Sequence, residues 1–463
     1  MVKTLVLQQR RRRQADERAQ FDSPSRSLGF WKLAQLIKKD MARRGEVVLK
    51  SIPTMPSPSD DLSPIAPLRV PVFRMLWTAW LIANLCMWMN DVAAAWKMTT
   101  LTTTPIWVAS VQSAATIPML LLGLPSGALA DILNRRALLL FTQLWVATMS
   151  ALLCAVMFLD LVTPSLLLTL TLFNGIAMAV RWPVFSAIVP DLVPRAQLPA
   201  ALMLNGMSMN ISRIVGPLVA GALIAVVGTA WVFLLNVVMS VFAAITISRW
   251  RPERQAKQRP PEQLGTAIRV GWQFMLQSKH LQGVLLRVIL FFFNGTALMA
   301  LLALLARRLG GGGAATFTLL LACLGFGAVI SVAIVPTLRR RMRRSRLVLF
   351  GSLVVAACMV VMAAIPSVAV AIPVMIICGA TWLMTANTLN LSAQMGLPDW
   401  VRARGMSMQQ MSLFGGGALG AAFWGMVATW TSVSTGITLA AVSLAICMLA
   451  AARWAPGIDR NLD

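Results

Sequence analysis

The sequence is poor in the residues that enzymes most often use for acid–base and metal chemistry. It contains a single histidine, His280, among 463 residues. A histidine-based catalytic triad or histidine metal site is therefore excluded. No G-x-x-x-x-G-K-[ST] loop is present, so we do not expect direct use of ATP. The few cysteines are too widely separated for a disulfide framework or a metal site; they are Cys86, Cys154, Cys323, Cys358, Cys378 and Cys447.

Charged residues are also scarce, which excludes an ordinary soluble globule. Only 12% of residues are charged, 58% are hydrophobic, and the mean hydropathy is +0.73. Apolar runs long enough to cross roughly 30 Å of hydrocarbon recur along the chain. They predict twelve transmembrane helices, near residues 74–97, 105–130, 137–160, 165–189, 202–227, 229–248, 283–306, 314–336, 347–365, 367–390, 404–428 and 432–452.

The net charge of +25 raises the possibility of a nucleic-acid partner, but the distribution of basic residues argues against one. Nearly all Lys and Arg fall in loops that share one side of the predicted bundle; only Lys97, Arg307 and Arg308 lie in loops on the other side. This asymmetry follows the positive-inside rule and predicts that both termini are cytoplasmic. No basic segment is left over to form a folded nucleic-acid-binding domain.

The pattern divides the chain into two bundles with flanking segments. The first 70 residues are polar and basic and lack the apolar core of a cleavable signal peptide. We expect them to be disordered, with an interfacial helix on anionic lipid as the alternative. The predicted regions are a cytoplasmic tail (1–72), a six-helix bundle (73–250), a cytoplasmic linker (251–280), a second bundle (281–455) and a short tail (456–463).

A short internal repeat supports two equivalent halves. The tetrapeptide at 206–209, Gly-Met-Ser-Met, returns at 405–408, and each copy starts a long apolar run. In the same register, Gly216 and Gly221 would match Gly415 and Gly420. We therefore predict that the halves are parallel repeats, related by an axis along the membrane normal.

The segment 123–140, GLPSGALADILNRRALLL, places charges between two apolar runs. Carboxylates and arginines are too costly in hydrocarbon, so they mark an aqueous edge. The segment resembles the loop between helices 2 and 3 of the major facilitator superfamily, G-x-L-A-D-R-x-G-R-[RK], although Ile132 and Asn134 depart from that pattern. The resemblance implies an all-α membrane fold of twelve helices in two six-helix bundles. It also implies a cytoplasmic gate formed by Gly127, Asp131, Arg135, Arg136 and, nearby, Asp191.

Asp91 is the one carboxylate well inside a predicted span, which makes it the candidate for proton coupling. The alternative is that it lies near the outer mouth, hydrated or paired with Lys97. Trp80, Asn84 and Trp88 precede it at helical spacing, so the four side chains form one stripe. The resemblance places this helix beside a central cavity.

The fifth span carries Gly216-Pro217-x-x-Ala220-Gly221, which resembles the G-P-x-x-G-G element of antiporters in the superfamily. Proline removes a backbone hydrogen bond and small neighbours allow a bend or a close crossing. Ordinary tight packing of helices is the alternative interpretation.

Further polar residues inside the spans are candidates for the substrate cavity. Arg181 and Arg213 could attract an anionic or polar-headed substrate, or could brace the gate through Asp191 or Asp131. In the superfamily, spans one, four, seven and ten line the pathway. Hydrogen bonding between helices is the alternative role for the candidates in the second half, which are Arg287, Asn294, Thr385, Asn387 and Asn390.

Residues 68–455 as a whole resemble bacterial exporters related to enterobactin and macrolide efflux proteins, the transmembrane secretion effectors. The resemblance implies a monomeric secondary transporter of the bacterial inner membrane, not an enzyme, with no cofactor or metal. It implies export of a lipophilic or siderophore-like molecule, driven by protons and surrounded by membrane lipids. Uptake by the same fold and a non-transporting sensor or assembly partner are the alternatives.

Overall fold

The structure, a computed structural model, describes residues 63–251, 273, 275–309, 313–398, 402–455 and 457–459. This part of the chain contains twelve helices long and apolar enough to cross a membrane, and no strand. They confirm the predicted all-α membrane fold. The helices are α1 (Pro71–Leu101), α2 (Pro105–Ile132), α3 (Arg135–Phe158), α4 (Pro164–Leu192), α5 (Leu198–Val226), α6 (Thr229–Arg249), α7 (Lys279–Arg308), α8 (Ala314–Arg341), α9 (Arg344–Ala364), α10 (Val368–Met395), α11 (Arg402–Trp430) and α12 (Val433–Trp454).

Local sequence explains where several helices begin. α1, α2 and α4 start at prolines, whose fixed φ suits the first helical turn and whose missing N–H costs nothing there. Asn134 caps α3, because its side-chain oxygen accepts hydrogen bonds from the backbone N–H groups of Arg136 and Ala137, at 3.0 and 3.3 Å. The departure from the superfamily pattern at Asn134 therefore supplies a helix cap.

The packing of the helices confirms the two parallel repeats. In the first half, α1 packs on α5 and α6, α2 on α4, and α3 on α4 and α6. In the second half, α7 packs on α11 and α12, α8 on α10, and α9 on α10 and α12. The halves meet where α2 packs on α11 and where α5 packs on α8. Exchanging the first six helices for the last six reproduces each of these pairings.

The residue register predicted for this repeat is wrong. α5 and α11 have the same length, 29 residues, and aligning their first residues pairs Gly216 with Gly420 and Gly221 with Gly425. The predicted register paired Gly216 with Gly415 and Gly221 with Gly420. The two Gly-Met-Ser-Met strings therefore lie at different depths in their helices.

Glycine contacts support the corrected register. A side chain at Gly216 would meet Trp88 of α1, and one at Gly420 would meet Phe293 of α7. In the same way, Gly221 lies against Thr318 of α8, and Gly425 against Ala109 of α2. Small residues are required where helices cross closely, so crossing points define the repeat better than a short identical string does.

We call the side on which α1 begins and α12 ends the terminal face, and the side on which α1 ends at Leu101 the opposite face. Part of each predicted tail packs on the bundle at the terminal face. Ala66–Arg69 forms a short 3-10 helix against α1 and α5. Ile458 is fully buried, and Asp459 accepts a 3.0 Å hydrogen bond from the backbone N–H of Ser345 at the start of α9. The predictions for residues 1–62 and 252–272 lie outside the described residues.

Candidate transport pathway

The predicted gate residues brace the first half. Arg135, at the start of α3, forms an ion pair with Asp191, near the end of α4, with 2.8 Å between Nη1 and Oδ2. Arg136 donates a hydrogen bond to the backbone carbonyl of Ser248 in α6. These contacts stay within one half. Gly127 and Asp131 lie in the last turns of α2, and the surroundings of their side chains lie outside the described part.

The aromatic and amide side chains of the α1 stripe divide between buried and open surroundings. Trp80 stacks on Phe185 of α4, with ring centroids 4.0 Å apart and planes 3° apart. Asn84 is only 2% exposed. Trp88 is half-buried and lies against α5. The stripe therefore passes from the interior of the first half, at Trp80, toward the space between the halves, at Trp88.

Asp91 is half-buried near the open end of this stripe. At 1.5 Å per residue it lies roughly 15 Å from the end of α1 at Leu101, well inside the membrane-spanning length. In the described part of the chain no hydrogen bond or ion pair joins Asp91 to another residue, so the predicted pairing with Lys97 is not formed. An accessible carboxylate at this depth is suited to bind a proton or a cationic group.

Arg181 does not reach the gate. Its guanidinium donates to Oε1 of Gln143 at 3.3 Å and to the carbonyl of Ala83 at 3.4 Å, and it lies 5.7 Å from the ring centroid of Trp80. The side chain is 3% exposed and contacts no carboxylate that the structure describes. Arg181 therefore lies inside the first half and does not brace the gate through Asp191, whereas the side chain of Asp131 lies outside the described part.

Arg213 remains beside the pathway. It is half-buried on α5, and its guanidinium carbon lies 5.2 Å from the ring centroid of Trp88. Such stacking of a cation on an aromatic ring is favourable. No ion pair joins Arg213 to Asp191 in the described residues. Arg213, Trp88 and Asp91 together place a cation, an aromatic ring and a carboxylate along the contact between α1 and α5.

The antiporter-like element of α5 has packing contacts on both sides. A Cβ atom at Gly216 would lie 2.6 Å from Cβ of Trp88, so the absence of a side chain lets α5 approach α1. The absence of a side chain at Gly221 likewise lets α5 approach Thr318 of α8, at a contact between the halves. Pro217 is buried within the helix. These contacts fit the alternative interpretation of tight helix packing.

Both α7 candidates are interior residues. Arg287 donates to the carbonyl of Gly283 at 2.8 Å and to that of Ala451 in α12 at 2.6 Å. Asn294 is 1% exposed and donates to the carbonyl of Leu290 at 2.8 Å. The bond from Arg287 to Ala451 joins α7 to α12, and the other two bonds lie within α7. These contacts fit the alternative in which the two side chains have a structural role.

The three α10 candidates differ from one another in exposure. Thr385 is fully buried and lies against Gly351 of α9. Asn387 is exposed and Asn390 is half-buried. An exposed amide within a membrane-spanning helix is expected to face water rather than lipid. Asn387 and Asn390 are therefore the second-half residues that remain candidates for the substrate cavity.

At the opposite face the two halves are joined by contacts that the sequence analysis did not find. Arg307, at the end of α7, donates to the carbonyl of Thr99 in α1, and its guanidinium lies 5.9 Å from the ring centroid of Trp96. Trp96 in turn stacks on Phe317 of α8, with centroids 6.2 Å apart. We call Trp96, Thr99, Arg307 and Phe317 the closing layer. Arg307 could have been noticed as one of the few basic residues on the less basic side.

A second group of missed residues consists of polar side chains inside the first half. Gln143 of α3, Asn174 of α4 and Asn236 of α6 interrupt otherwise apolar runs, as does Asn90 beside Asp91. Polar residues at such depths are a signal in themselves. In the described residues no group of three or more His, Cys, Asp or Glu side chains could hold a metal ion.

Comparison with known proteins identifies a matching family and a partly similar transporter. The model of the transmembrane secretion effector family matches residues 62–459. A staphyloferrin A transporter of Staphylococcus aureus is 27% identical over 159 residues, which are 34% of this chain and 40% of that protein. The matched segment thus spans less than half of the relative.

Solved structures of transporters share the fold. A mutant of the nucleoside transporter NupG superimposes with a TM-score of 0.71 at 12% identity, over 82% of this chain and 98% of that one. A bacterial homologue of the human lysosomal transporter Spinster, inward-facing and occupied, gives a TM-score of 0.66 at 16% identity, over 84% and 96% of the two chains.

Proposed function

Because the chain belongs to the transmembrane secretion effector family of major facilitator transporters, we propose that it exports a small molecule from the bacterial cytoplasm in exchange for protons. The position of Asp91 carries the proposal. It is a half-buried carboxylate deep in the membrane span, without a partner in the described residues, and it lies between Trp88 and the closing layer. Protonation neutralises such a group and so lowers the free-energy cost of placing it in apolar surroundings. It thereby biases an equilibrium between two conformations in which the group is hydrated to different extents.

We propose that the terminal face is the cytoplasmic face of the bacterial inner membrane. The support is charge: the turn between α8 and α9, together with the helix ends that flank it, carries Arg339, Arg340, Arg341, Arg343 and Arg344, and basic segments of this kind remain in the cytoplasm. The closing layer then seals the outer side, and Asp91 is reached from the cytoplasm. Alternating access requires a second conformation in which the closing layer opens.

The substrate that suits this pathway is amphipathic. Trp88 and Trp182 are half-buried aromatic surfaces, Asn387 and Asn390 offer neutral hydrogen bonds, and Arg213 offers one positive charge. Aromatic walls with few polar groups are typical of small-molecule sites. We propose a lipophilic or siderophore-like molecule with an anionic group. The local similarity to the staphyloferrin A transporter supports the siderophore class.

Transport in proteoliposomes tests both the activity and its direction. The purified protein would be reconstituted with either staphyloferrin A or the anionic dye fluorescein outside, and accumulation would be measured under imposed pH gradients. Proton-driven export predicts accumulation when the lumen is acidic, through molecules whose cytoplasmic face points outward. Accumulation only when the outside is acidic would indicate uptake coupled to proton entry. Absence of gradient-dependent movement of both probes would favour a protein that does not transport them.

A further inference from the structure

A second polar site lies inside the first half, apart from the pathway. It is a cavity of about 10 Å³ among α1, α3, α4 and α6, which is room for about one water-sized occupant. Its lining includes Asn90, Asn174, Arg181 and Asn236. We call this cavity and its lining the polar chamber. The polar chamber is far too small for a transported organic molecule.

The amides around the polar chamber lack hydrogen-bond partners. Both amide atoms of Asn90 and both of Asn236 are unpartnered, as is Nε2 of Gln143, which bonds Arg181 through its oxygen. These three side chains are at most 2% exposed. Unpartnered buried amides are rare and unfavourable, because water has been removed without replacement. An occupant that accepts hydrogen bonds from the amide N–H groups is therefore expected.

The charge of Arg181 helps to decide whether the occupant is water or an anion. The guanidinium is buried, and its described contacts are all uncharged: Gln143, the carbonyl of Ala83, the ring of Trp80 and Sδ of Met178 at 2.8 Å. A buried cation without an opposite charge is strongly unfavourable. A water molecule would pair with the amides but would leave the charge uncompensated, whereas a small anion accepts hydrogen bonds from the amide N–H groups and also compensates the charge.

The second half provides an internal comparison. Aligning the first residues of α1 with α7, α4 with α10, and α6 with α12 gives the counterpart of each asparagine and of the arginine in the polar chamber. Every counterpart is uncharged and buried, and most are apolar. The fold therefore does not require polar groups at this place. The pairs are Asn90 with Leu298, Asn174 with Cys378, Arg181 with Thr385, Asn236 with Ala440 and, beside them, Ser240 with Leu444.

We propose that the polar chamber binds one small monovalent anion of the chloride type, held by the guanidinium of Arg181 and the amide N–H groups of Asn90 and Asn236. The two ends of an asparagine amide can exchange places, so each can direct its N–H groups at the anion. The bound ion compensates the buried charge and joins α1, α4 and α6. It stabilises the first half and is not itself transported.

Thermal unfolding of the purified full chain tests the proposal without substrate or gradient, and so independently of the proposed function. Chloride would replace gluconate at constant ionic strength, with equilibrium binding of radioactive chloride measured in parallel. We expect a saturable rise in Tm of roughly 5 °C at high occupancy. Arg181→Met should abolish the rise and weaken chloride binding at least about tenfold. Arg287→Met, which removes another buried arginine, is the control and should keep the chloride response.

Three different results would contradict the proposal of a bound anion. Equal Tm values in chloride and gluconate, with no saturable chloride binding, would show that the chamber holds water only. A chloride response that persists in Arg181→Met would place the anion elsewhere. If Arg181→Met does not fold, Asn236→Leu tests the same site, since Ala440 and Leu444 show that apolar residues fit at this level of the bundle. Unchanged chloride affinity in Asn236→Leu would then overturn the proposal.

Discussion

Two aspartates show how surroundings decide the consequence of one charge. Asp191 lies at the terminal face, is 40% exposed in its side chain and pairs with Arg135. Water screens that pair, so its contribution to stability is small. Asp91 lies deep in α1 without a described partner. At that depth the charged form of a carboxylate is costly, which is why we propose Asp91 as the coupling group.

Asp91→Asn is expected to abolish the dependence of transport on ΔpH. Asparagine has nearly the same size as aspartate, so the amount of folded protein and its Tm should stay unchanged, whereas the proton can no longer bind. Transport would be followed in proteoliposomes at several pH gradients. Asp160→Asn, at an exposed position after α3, is the matched control. A normal ΔpH dependence in Asp91→Asn would remove Asp91 from the coupling mechanism.

Asp191→Asn is expected to lower the stability by no more than about 1 kcal/mol, because the lost ion pair is exposed and lies within one half. The rate of transport should remain within about twofold of the original. Denaturation monitored by tryptophan fluorescence and the proteoliposome assay provide the two measurements. A transporter locked in one conformation by this substitution would instead support the gate role predicted from the sequence.

At the scale of helices, glycines mark where backbones approach most closely. Gly175 of α4 faces the carbonyl of Ala115 in α2, and its counterpart Gly379 of α10 faces the carbonyl of Leu324 in α8. These positions leave no space for a side chain against a rigid backbone. The same crossing therefore recurs in both halves, although the sequences around it differ.

Gly221→Val is expected to destabilise the contact between α5 and α8. The new side chain would collide with Thr318, and such overpacking costs about 1–3 kcal/mol. The Tm should fall and transport should slow, because the packing of α5 on α8 is one of the two main contacts between the halves. Gly206→Val, in the same helix with no atom within 4 Å of an added Cβ, should change neither quantity. Equal effects of the two substitutions would show that helix propensity, rather than the crossing, is responsible.

At the scale of the molecule, access to the pathway depends on which face is closed. The closing layer joins α1, α7 and α8 at the opposite face, while Asn387 remains exposed nearer the terminal face. The polar end of the pathway should therefore be reached from one side of the membrane only. This asymmetry is a property of the two halves together and of neither alone.

Cysteine labelling measures that asymmetry. Asn387→Cys, with the half-buried Cys447 replaced by serine, should react with an impermeant maleimide at least about tenfold faster in inside-out vesicles than in right-side-out ones. Adding Arg307→Ala should reduce the difference, since it weakens the closing layer. Lys97→Ala, at a half-buried position on the same face, is the control. Faster labelling in right-side-out vesicles would reverse the assigned orientation.

The sequence predicted the number of helices, the two repeats and most helix ends because the membrane interior imposes one strong rule on each segment. A span must be apolar, long enough and hydrogen-bonded within itself, and each segment meets that rule independently of the others. Prolines and basic clusters then mark the ends. The family resemblance rested on similarly local features, and the family match confirms it.

Tertiary structure alone decided which polar side chains face the pathway and which are interior. The sequence predicted one stripe along α1, but in the structure Trp80 packs against α4 and Trp88 against α5. Arg181 lines the polar chamber, and Thr385 lies against Gly351 of α9. The direction that a side chain faces depends on the rotation of its helix, and that rotation is set by close contacts with helices distant in the sequence.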